Sequence, residues 1–342
     1  MLGVLVVVVS GAAIGASLWP IKCMRRFEYE HWGFISMVAG LIVAPWAVTL
    51  LACPDAVGAY RSVGCGVLLK SNLCSLSWGI ANILYMLCFA KIGVSLANGI
   101  VAGVSVSVGV ATPMVLKGTG VFQSAAEVFS PAGLTVLGGV AVTLFGVILV
   151  SLAGLERERA RTQEQRSPAR FWGGLAMALS ASVLSAGFSF AFVYSQGPIL
   201  KAMAARGAGD IPANVSVWAA ALFAGAVLNV VYPAYLMTKH KSWNLLWHNP
   251  GDLALAVTLG LMFFVGTALM GKGMLLLGAL GASVGFGVQQ TVQLLGSQAV
   301  GFFSGEWRGI GGKPVARMYC AILVLVLAAA IMACGNAINA GN

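Results

Sequence analysis

Three glutamines lie within five positions of a strongly apolar stretch, GFGVQQTVQLLG (285–296): Gln289, Gln290 and Gln293. A buried amide without a hydrogen-bond partner costs roughly 2–7 kcal/mol, depending on the reference solvent. Gln289 and Gln293 are four residues apart, so they share one face of a helix. Such amides either bridge closely packed helices or line a polar cavity that binds hydroxyls and other neutral groups. Three amides exceed what packing normally uses, which favours the cavity, and both interpretations stay open.

A second polar face lies in SWGIANILYMLCFAKIG (77–93), where Trp78, Asn82 and Tyr85 follow the i, i+4, i+7 spacing of a helix. A tryptophan face can stack on the C–H groups of a sugar while a neighbouring amide binds its hydroxyls. The alternative is an interfacial tryptophan beside a packing asparagine. Asn98 and Ser105, in a later glycine- and serine-rich stretch, are further candidates for solute contact.

Lys272, between Gly271 and Gly273, is the most conspicuous ionisable residue inside an apolar run. It either extends to the lipid headgroups or supplies a site charge for an anionic or polyol solute. A proton-coupled transporter needs a group that changes charge. Lys272 is the preferred candidate, and the cluster of Glu28, Glu30 and His31 is the other. Transport without a proton is the third alternative.

The carboxylates and histidines otherwise fall in loops or at the ends of apolar runs. The sequence has no metal-ligand, phosphate-loop or nucleophile pattern, so neither an enzyme nor a bound cofactor or metal is predicted. No aromatic residues are interleaved with basic ones, and nucleic-acid binding is not predicted.

The elements that carry these residues are membrane helices. Of 342 residues 59% are hydrophobic and 9% charged, with mean hydropathy +0.91, whereas a soluble domain has about 25% charged residues. Spanning segments must satisfy their own backbone hydrogen bonds, so the sequence predicts an all-α, multi-pass membrane protein. The ten predicted spans are 2–19, 32–52, 72–90, 94–115, 133–155, 173–194, 215–236, 253–277, 281–303 and 318–334.

The distribution of Lys and Arg predicts the topology. Loops after odd-numbered spans hold fourteen basic residues and loops after even-numbered spans hold five. The positive-inside rule therefore places the odd loops in the cytoplasm and both termini outside. Cys53 and Cys65 flank an external loop, where they form either a disulfide or two free thiols.

An internal repeat divides the chain. A shift of 184 positions brings GVSVSV (103–108) onto GVQQTV (287–292), so Ser105 corresponds to Gln289. This places the fourth span on the ninth, the same position in each half of a five-plus-five division. Residues 1–155 are predicted to form the first five-helix repeat, 156–170 a basic cytoplasmic linker, and 171–342 the second repeat. Because each repeat has an odd number of spans, the halves are inverted, as is typical of transporters.

Four stretches carry a family resemblance: WGIANILY (78–85), GIVAGVSVSVGVATPMV (99–115), SAGFSFA (185–191) and EWRGIGGKPV (306–315). Through them the whole chain resembles the bacterial L-rhamnose–proton symporter family, within the drug/metabolite transporter superfamily. The resemblance implies ten helices in two inverted repeats around a central cavity. It also implies that Trp78, Asn82, Tyr85 and the glutamines of the ninth span face that cavity.

Together these features predict a secondary transporter that moves a small polar metabolite by alternating access. The favoured solute is a monosaccharide such as L-rhamnose or a related deoxy sugar, with a proton or another ion as the coupling partner. One alternative is an anionic metabolite bound by Lys272, and another is a membrane receptor that binds without transport. The chain is expected to act in the lipid bilayer as a monomer or homodimer.

Overall fold

The computed structural model describes residues 2–92, 94–115, 127–161, 168–278 and 281–340. These residues form helices and contain no β-strand. The α-helices are α1 (Leu2–Ala16), α2 (Trp19–Cys23), α3 (Tyr29–Met37), α4 (Ala44–Ala52), α5 (Ala56–Ser62), α6 (Cys65–Ile92), α7 (Val94–Val115), α8 (Pro131–Arg161), α9 (Pro168–Ser185), α10 (Gly187–Ala204), α11 (Asp210–Ala221), α12 (Phe223–His240), α13 (Leu245–His248), α14 (Pro250–Leu276), α15 (Phe286–Phe303) and α16 (Lys313–Ala340). Two π-helical segments, Val38–Val43 and Gly281–Gly285, lead into α4 and α15.

The chain is a multi-pass membrane protein. Among the described residues, eight helical segments are long and apolar enough to span a membrane. The pair α11 and α12 makes a ninth if the two helices, bent by 55° at their junction, form one span. Helix α15 is not among the eight, because its glutamines lower the hydropathy of an 18-residue helix. The predicted all-α membrane architecture is confirmed, and the tenth span remains a prediction.

Several boundaries differ from the predicted spans. The predicted sixth span, 173–194, is divided between α9 and α10, and the predicted seventh, 215–236, between α11 and α12. Helix α6 begins at Cys65, seven residues before the predicted span. Helix α8 continues to Arg161, so the first part of the predicted linker 156–170 is helical, and α9 starts at Pro168. Residues 162–167 of that linker lie outside the described residues. Both Cys53 and Cys65 are free thiols, the first buried and the second exposed.

The chain divides into two compact units, each drawn from both halves of the sequence. The first unit contains residues 1–15, 81–186 and 273–342, and the second contains 16–80 and 187–272. In the first unit α8 and α16 pack side by side, and α7 packs against α8, α9 and α15. Its main core consists of Val7, Val106, Val110, Met114, Val136, Val140, Leu277, Val284, Val288 and Met332.

The second unit is organised around the break between α11 and α12. A break inside an apolar environment frees backbone groups that water cannot satisfy. Asn72 of α6 fills this need: its amide donates to Ala220 O at 3.0 Å and its carbonyl accepts from Ala224 N at 2.9 Å. One turn later, Ser75 Oγ accepts from Gly225 N at 2.9 Å. Side chains of α6 therefore stabilise the broken helix in its bent form.

Candidate functional site

The second unit contains a connected set of aromatic rings from four helices, which we call the aromatic cluster. Trp78 of α6 lies 5.1 Å from Phe188 of α10, measured between ring centroids. Phe188 is 5.1 Å from Trp218 of α11 and 6.3 Å from Phe263 of α14. Phe192 stacks on Trp218 with a centroid distance of 4.4 Å. Trp78, Phe188, Phe192 and Trp218 are buried, and aromatic faces of this kind can pack on sugar C–H groups.

Polar atoms within this cluster lack partners. Trp218 Nε1 and Asn214 Oδ1 are buried and have no hydrogen bond within the described residues. Ser189 Oγ, which follows Phe188 in the chain, is also buried without a hydrogen bond there. Asn214 uses its other side-chain atom, Nδ2, to donate to Ala268 O at 2.8 Å. Leaving a buried donor or acceptor unsatisfied costs about 1–3 kcal/mol. The arrangement is therefore unfavourable unless another molecule supplies the hydrogen bonds.

Gly271 of α14 allows the donor and the acceptor to converge. A methyl group at this position would lie 2.3 Å from Trp218 Nε1 and 2.7 Å from Asn214 Oδ1. No side chain larger than hydrogen fits there without moving the indole. Glycine at 271 thus lets an N–H donor and a C=O acceptor lie close to the same backbone atom.

Helix α11 is held in place by a tyrosine from α5. Tyr60 donates its hydroxyl hydrogen to Ser216 O at 2.7 Å. Burial raises the pKa of Tyr60 above its ordinary value, so the hydroxyl remains a donor at physiological pH. This bond anchors α11 two residues before Trp218.

The predicted residues Trp78 and Lys272 both lie in the second unit, in different settings. Trp78 belongs to the aromatic cluster and is buried. Lys272 Nζ lies 3.3 Å from Asp210 Oδ2, with 34% of the lysine side chain and 88% of the aspartate side chain exposed. An ion pair this exposed contributes about 0–1 kcal/mol. This exposed ion pair does not favour a proton-carrying or anion-binding role for Lys272.

The remaining predicted solute-binding residues lie in the first unit. Gln289 is buried, and its Nε2 donates to Gln293 Oε1 at 2.7 Å within α15. Gln290 is half-buried and has no hydrogen bond within the described part of the chain. Close packing of α15 against α1 runs through glycines, because methyl groups at Gly11 and Gly15 would lie 2.6 and 2.5 Å from the backbone oxygens of Gln289 and Gln293. The contact between these helices is therefore a backbone contact, and these amides pair along their own helix.

Four further candidates lie on α6 and α7. Asn82 and Asn98 are half-buried amides without a hydrogen bond in the part of the structure described. Tyr85 packs beside a small core that includes Cys88. Ser105 is fully buried, and its hydroxyl bonds to Ser182 O and Ser185 Oγ of α9, so it serves packing between α7 and α9.

Sequence patterns did not identify Phe188, Phe192, Trp218 and Phe263 of the aromatic cluster, or Asn214 beside it. One signal was present: Asn214 and Trp218 are four residues apart, the same Trp–Asn spacing that singled out Trp78 and Asn82. The described residues contain no group of three His, Cys, Asp or Glu side chains arranged to hold a metal ion.

Comparison with known proteins gives one consistent answer. The sequence model of the L-rhamnose-proton symport protein family matches residues 1–338. An L-rhamnose-proton symporter of Cronobacter sakazakii is 28% identical over 96% of both chains, and one of Yersinia pestis is 27% identical over 98% of both. A solved structure titled "Crystal structure of protein" superposes with a TM-score of 0.50, at 17% identity, over 95% of this chain and 96% of the other. That likeness concerns the fold alone.

Proposed function

Because this chain belongs to the L-rhamnose-proton symport protein family, we propose that it carries L-rhamnose or a closely related deoxy sugar across the bacterial inner membrane together with a proton. The family is one of transporters, not enzymes. The observation that carries the sugar assignment is the aromatic cluster with its unpartnered donor and acceptor, Trp218 Nε1 and Asn214 Oδ1.

The chemistry of a deoxy sugar suits this cluster. Its methyl group and C–H faces are apolar and pack on indole and phenyl rings, whose negative faces do not attract an anionic solute. Its hydroxyls both donate and accept, so one sugar can satisfy the indole N–H and the amide oxygen. A site with unpaired polar groups strongly rejects analogues that lack the matching hydroxyl. We infer that Trp78 and Phe188 contact the apolar side of the sugar.

Within the first unit, we propose that several amide side chains contact solute. Asn82, Asn98 and Gln290 support this role because each is half-buried without a hydrogen bond in the described structure. Gln289 and Gln293 satisfy one another, and they would contact solute through their remaining donor and acceptor capacity. Tyr85 is retained as a weaker candidate.

We further propose that the chain has ten spans in two inverted five-helix repeats. Helix α15 is the tenth span, which its length and hydropathy alone do not identify. The packing of α7 against α15, the two helices that the repeat makes equivalent, supports this arrangement. Alternating access would then use the break between α11 and α12, since discontinuous helices in transporters lie at solute sites. Trp218 lies four residues before that break.

The proposal is tested by L-rhamnose counterflow in proteoliposomes, comparing Trp218→Phe with Trp307→Phe. Both residues are buried tryptophans whose Nε1 has no partner in the described structure, but Trp307 lies outside the aromatic cluster. Losing one hydrogen bond to the solute should weaken affinity by about 1–3 kcal/mol, or roughly 5- to 150-fold, in Trp218→Phe only. Equal behaviour of the two variants, or no counterflow of any deoxy sugar by the wild type, would refute the proposal.

A further inference from the structure

An acid–imidazole pair lies in the second unit where α3 begins and α12 ends. Glu30 Oε1 lies 2.8 Å from His240 Nδ1. The glutamate side chain is 7% exposed, whereas that of the histidine is 50% exposed. A buried carboxylate thus has a titratable partner that reaches water. Both residues lie between predicted spans, after the first and the seventh, on the predicted cytoplasmic side.

The two other buried side chains with a carboxyl or imidazole group in the described part of the chain already make structural hydrogen bonds to the backbone. Among the described residues, the buried carboxyl and imidazole groups are Glu30, His31 and Asp252. The carboxylate of Asp252 accepts the backbone N–H groups of Arg25, Arg26 and Phe27, the strongest at 2.7 Å. A proton on this carboxylate would disrupt that turn, so Asp252 serves to hold the chain before α3.

His31 is fixed in one neutral tautomer. Its Nδ1 accepts the backbone N–H of Glu28 at 3.2 Å, as part of the capping box of α3. Because a backbone N–H can only donate, the ring hydrogen is on Nε2, which lies 3.0 Å from Ser242 Oγ. His31 therefore serves to cap α3, whereas the side chain of Glu30 is bonded to the ring of His240.

The other charged or titratable neighbours leave this pair as the group that exchanges a proton. Tyr29 lies within electrostatic reach of Glu30 and of Tyr232 on α12. Lys239 and Lys241 flank His240 in the chain and are exposed to solvent, as are Arg25, Arg26 and the side chain of Glu28, which caps α3. Lysine and arginine keep their charge near neutral pH, but an imidazole does not.

We propose that Glu30 and His240 form the proton-binding site of the coupled transport, an inference that rests on the proposed sugar–proton symport. With the proton bound, the pair is an imidazolium facing a carboxylate, and this ion pair holds the start of α3 against the end of α12. When the proton leaves for cytoplasmic water through the exposed imidazole, a carboxylate and a neutral ring remain. The interaction between the two helices is then weaker. Helix α12 directly follows α11, which carries Trp218, across a bend of 55°. Proton occupancy at one end of this helix is thereby linked to the aromatic cluster beyond the break.

The test separates exchange from proton-driven accumulation. Purified protein in proteoliposomes is given labelled L-rhamnose, first as counterflow without a gradient and then with the outside one pH unit more acidic. For one proton per sugar, that gradient supports about tenfold accumulation by the wild type. Glu30→Gln and His240→Gln should keep counterflow and reach an inside-to-outside ratio near one. Glu306→Gln is the matched control, since this partly buried carboxylate pairs with Arg157 at 2.5 Å in the first unit; it should accumulate as the wild type does.

The outcomes distinguish this inference from the proposed function. Wild-type counterflow without gradient-driven accumulation would refute proton symport itself and the inference with it. Wild-type accumulation that persists in Glu30→Gln or His240→Gln would refute the inference alone. Loss of counterflow in both variants, with Glu306→Gln active, would also overturn it, because exchange of sugar requires no net proton movement. If only Glu30→Gln fails to fold, the half-exposed His240 decides the question.

Discussion

The aromatic cluster of the second unit and helix α15 of the first unit use one spacing in two ways. Asn214 and Trp218 are four residues apart on α11, and Gln289 and Gln293 are four residues apart on α15. On α11 the facing donor and acceptor lack partners, whereas on α15 the two amides bond to each other. Shared position on a helix face therefore does not establish a binding role. What distinguishes the two regions is whether the hydrogen-bonding capacity is already used.

The largest expected effect comes from filling the space at Gly271. Gly271→Ala should move the Trp218 indole and abolish measurable L-rhamnose counterflow, with a loss of about 1–3 kcal/mol in stability from overpacking. Gly251→Ala is the matched control on the same helix, because a methyl group there has nothing within 4 Å. Melting temperature and counterflow of both variants provide the measurement. Normal counterflow by Gly271→Ala would remove the aromatic cluster from the sugar path.

Substitutions of two glutamines of α15 should have smaller effects, one on stability and the other on sugar affinity. Gln293→Ala leaves the buried Nε2 of Gln289 without its partner, so it should lower stability by about 1–3 kcal/mol. Gln290→Ala removes an amide that has no protein partner in the described structure, so it should weaken sugar affinity and leave the melting temperature unchanged. Thermal unfolding with and without L-rhamnose measures both quantities. If Gln290→Ala melts early and binds normally, α15 is a packing element only.

Lys272→Met should change little. Its ion pair with Asp210 is exposed and contributes about 0–1 kcal/mol. Counterflow and proton-driven accumulation are both expected to persist, which would exclude the lysine as proton carrier. Accumulation that disappears while counterflow survives would instead restore Lys272 as the coupling group, in place of Glu30 and His240.

The smallest expected effect on stability comes from an ion pair at the surface of the second unit, in which Arg206 Nε lies 3.0 Å from Asp55 Oδ2. The hydrogen bond from Arg206 holds the pKa of Asp55 below its ordinary value of 3.8. The ionised Asp55 therefore stabilises the folded state fully when the pH is above the ordinary pKa of 3.8. This stabilisation disappears as the pH falls through the lowered pKa of the folded state. Asp55→Asn should therefore melt slightly below the wild type at neutral pH and coincide with it in strong acid. A difference that grows with acidity would contradict this sign.

Hydropathy predicted the membrane class and most of the helices, because burial in lipid and helix periodicity are local properties of the sequence. The transporter family was predicted from the resemblance of four short stretches of the sequence. They could not predict the aromatic cluster, since Phe188, Trp218 and Phe263 come from three helices that only tertiary packing brings together. They also left the partner of Glu30 unknown, because His240 is 210 residues away. Whether an amide is satisfied is likewise a property of the packed structure.

The central claim is that L-rhamnose and a proton move together, with the sugar bound at the aromatic cluster. The most direct test adds L-rhamnose outside proteoliposomes that contain a pH-sensitive dye, without an imposed pH gradient. We expect sugar-dependent acidification of the interior for the wild type and Gly251→Ala, and none for Gly271→Ala. An interior pH that stays constant while labelled L-rhamnose enters, or identical acidification by all three proteins, would contradict the account.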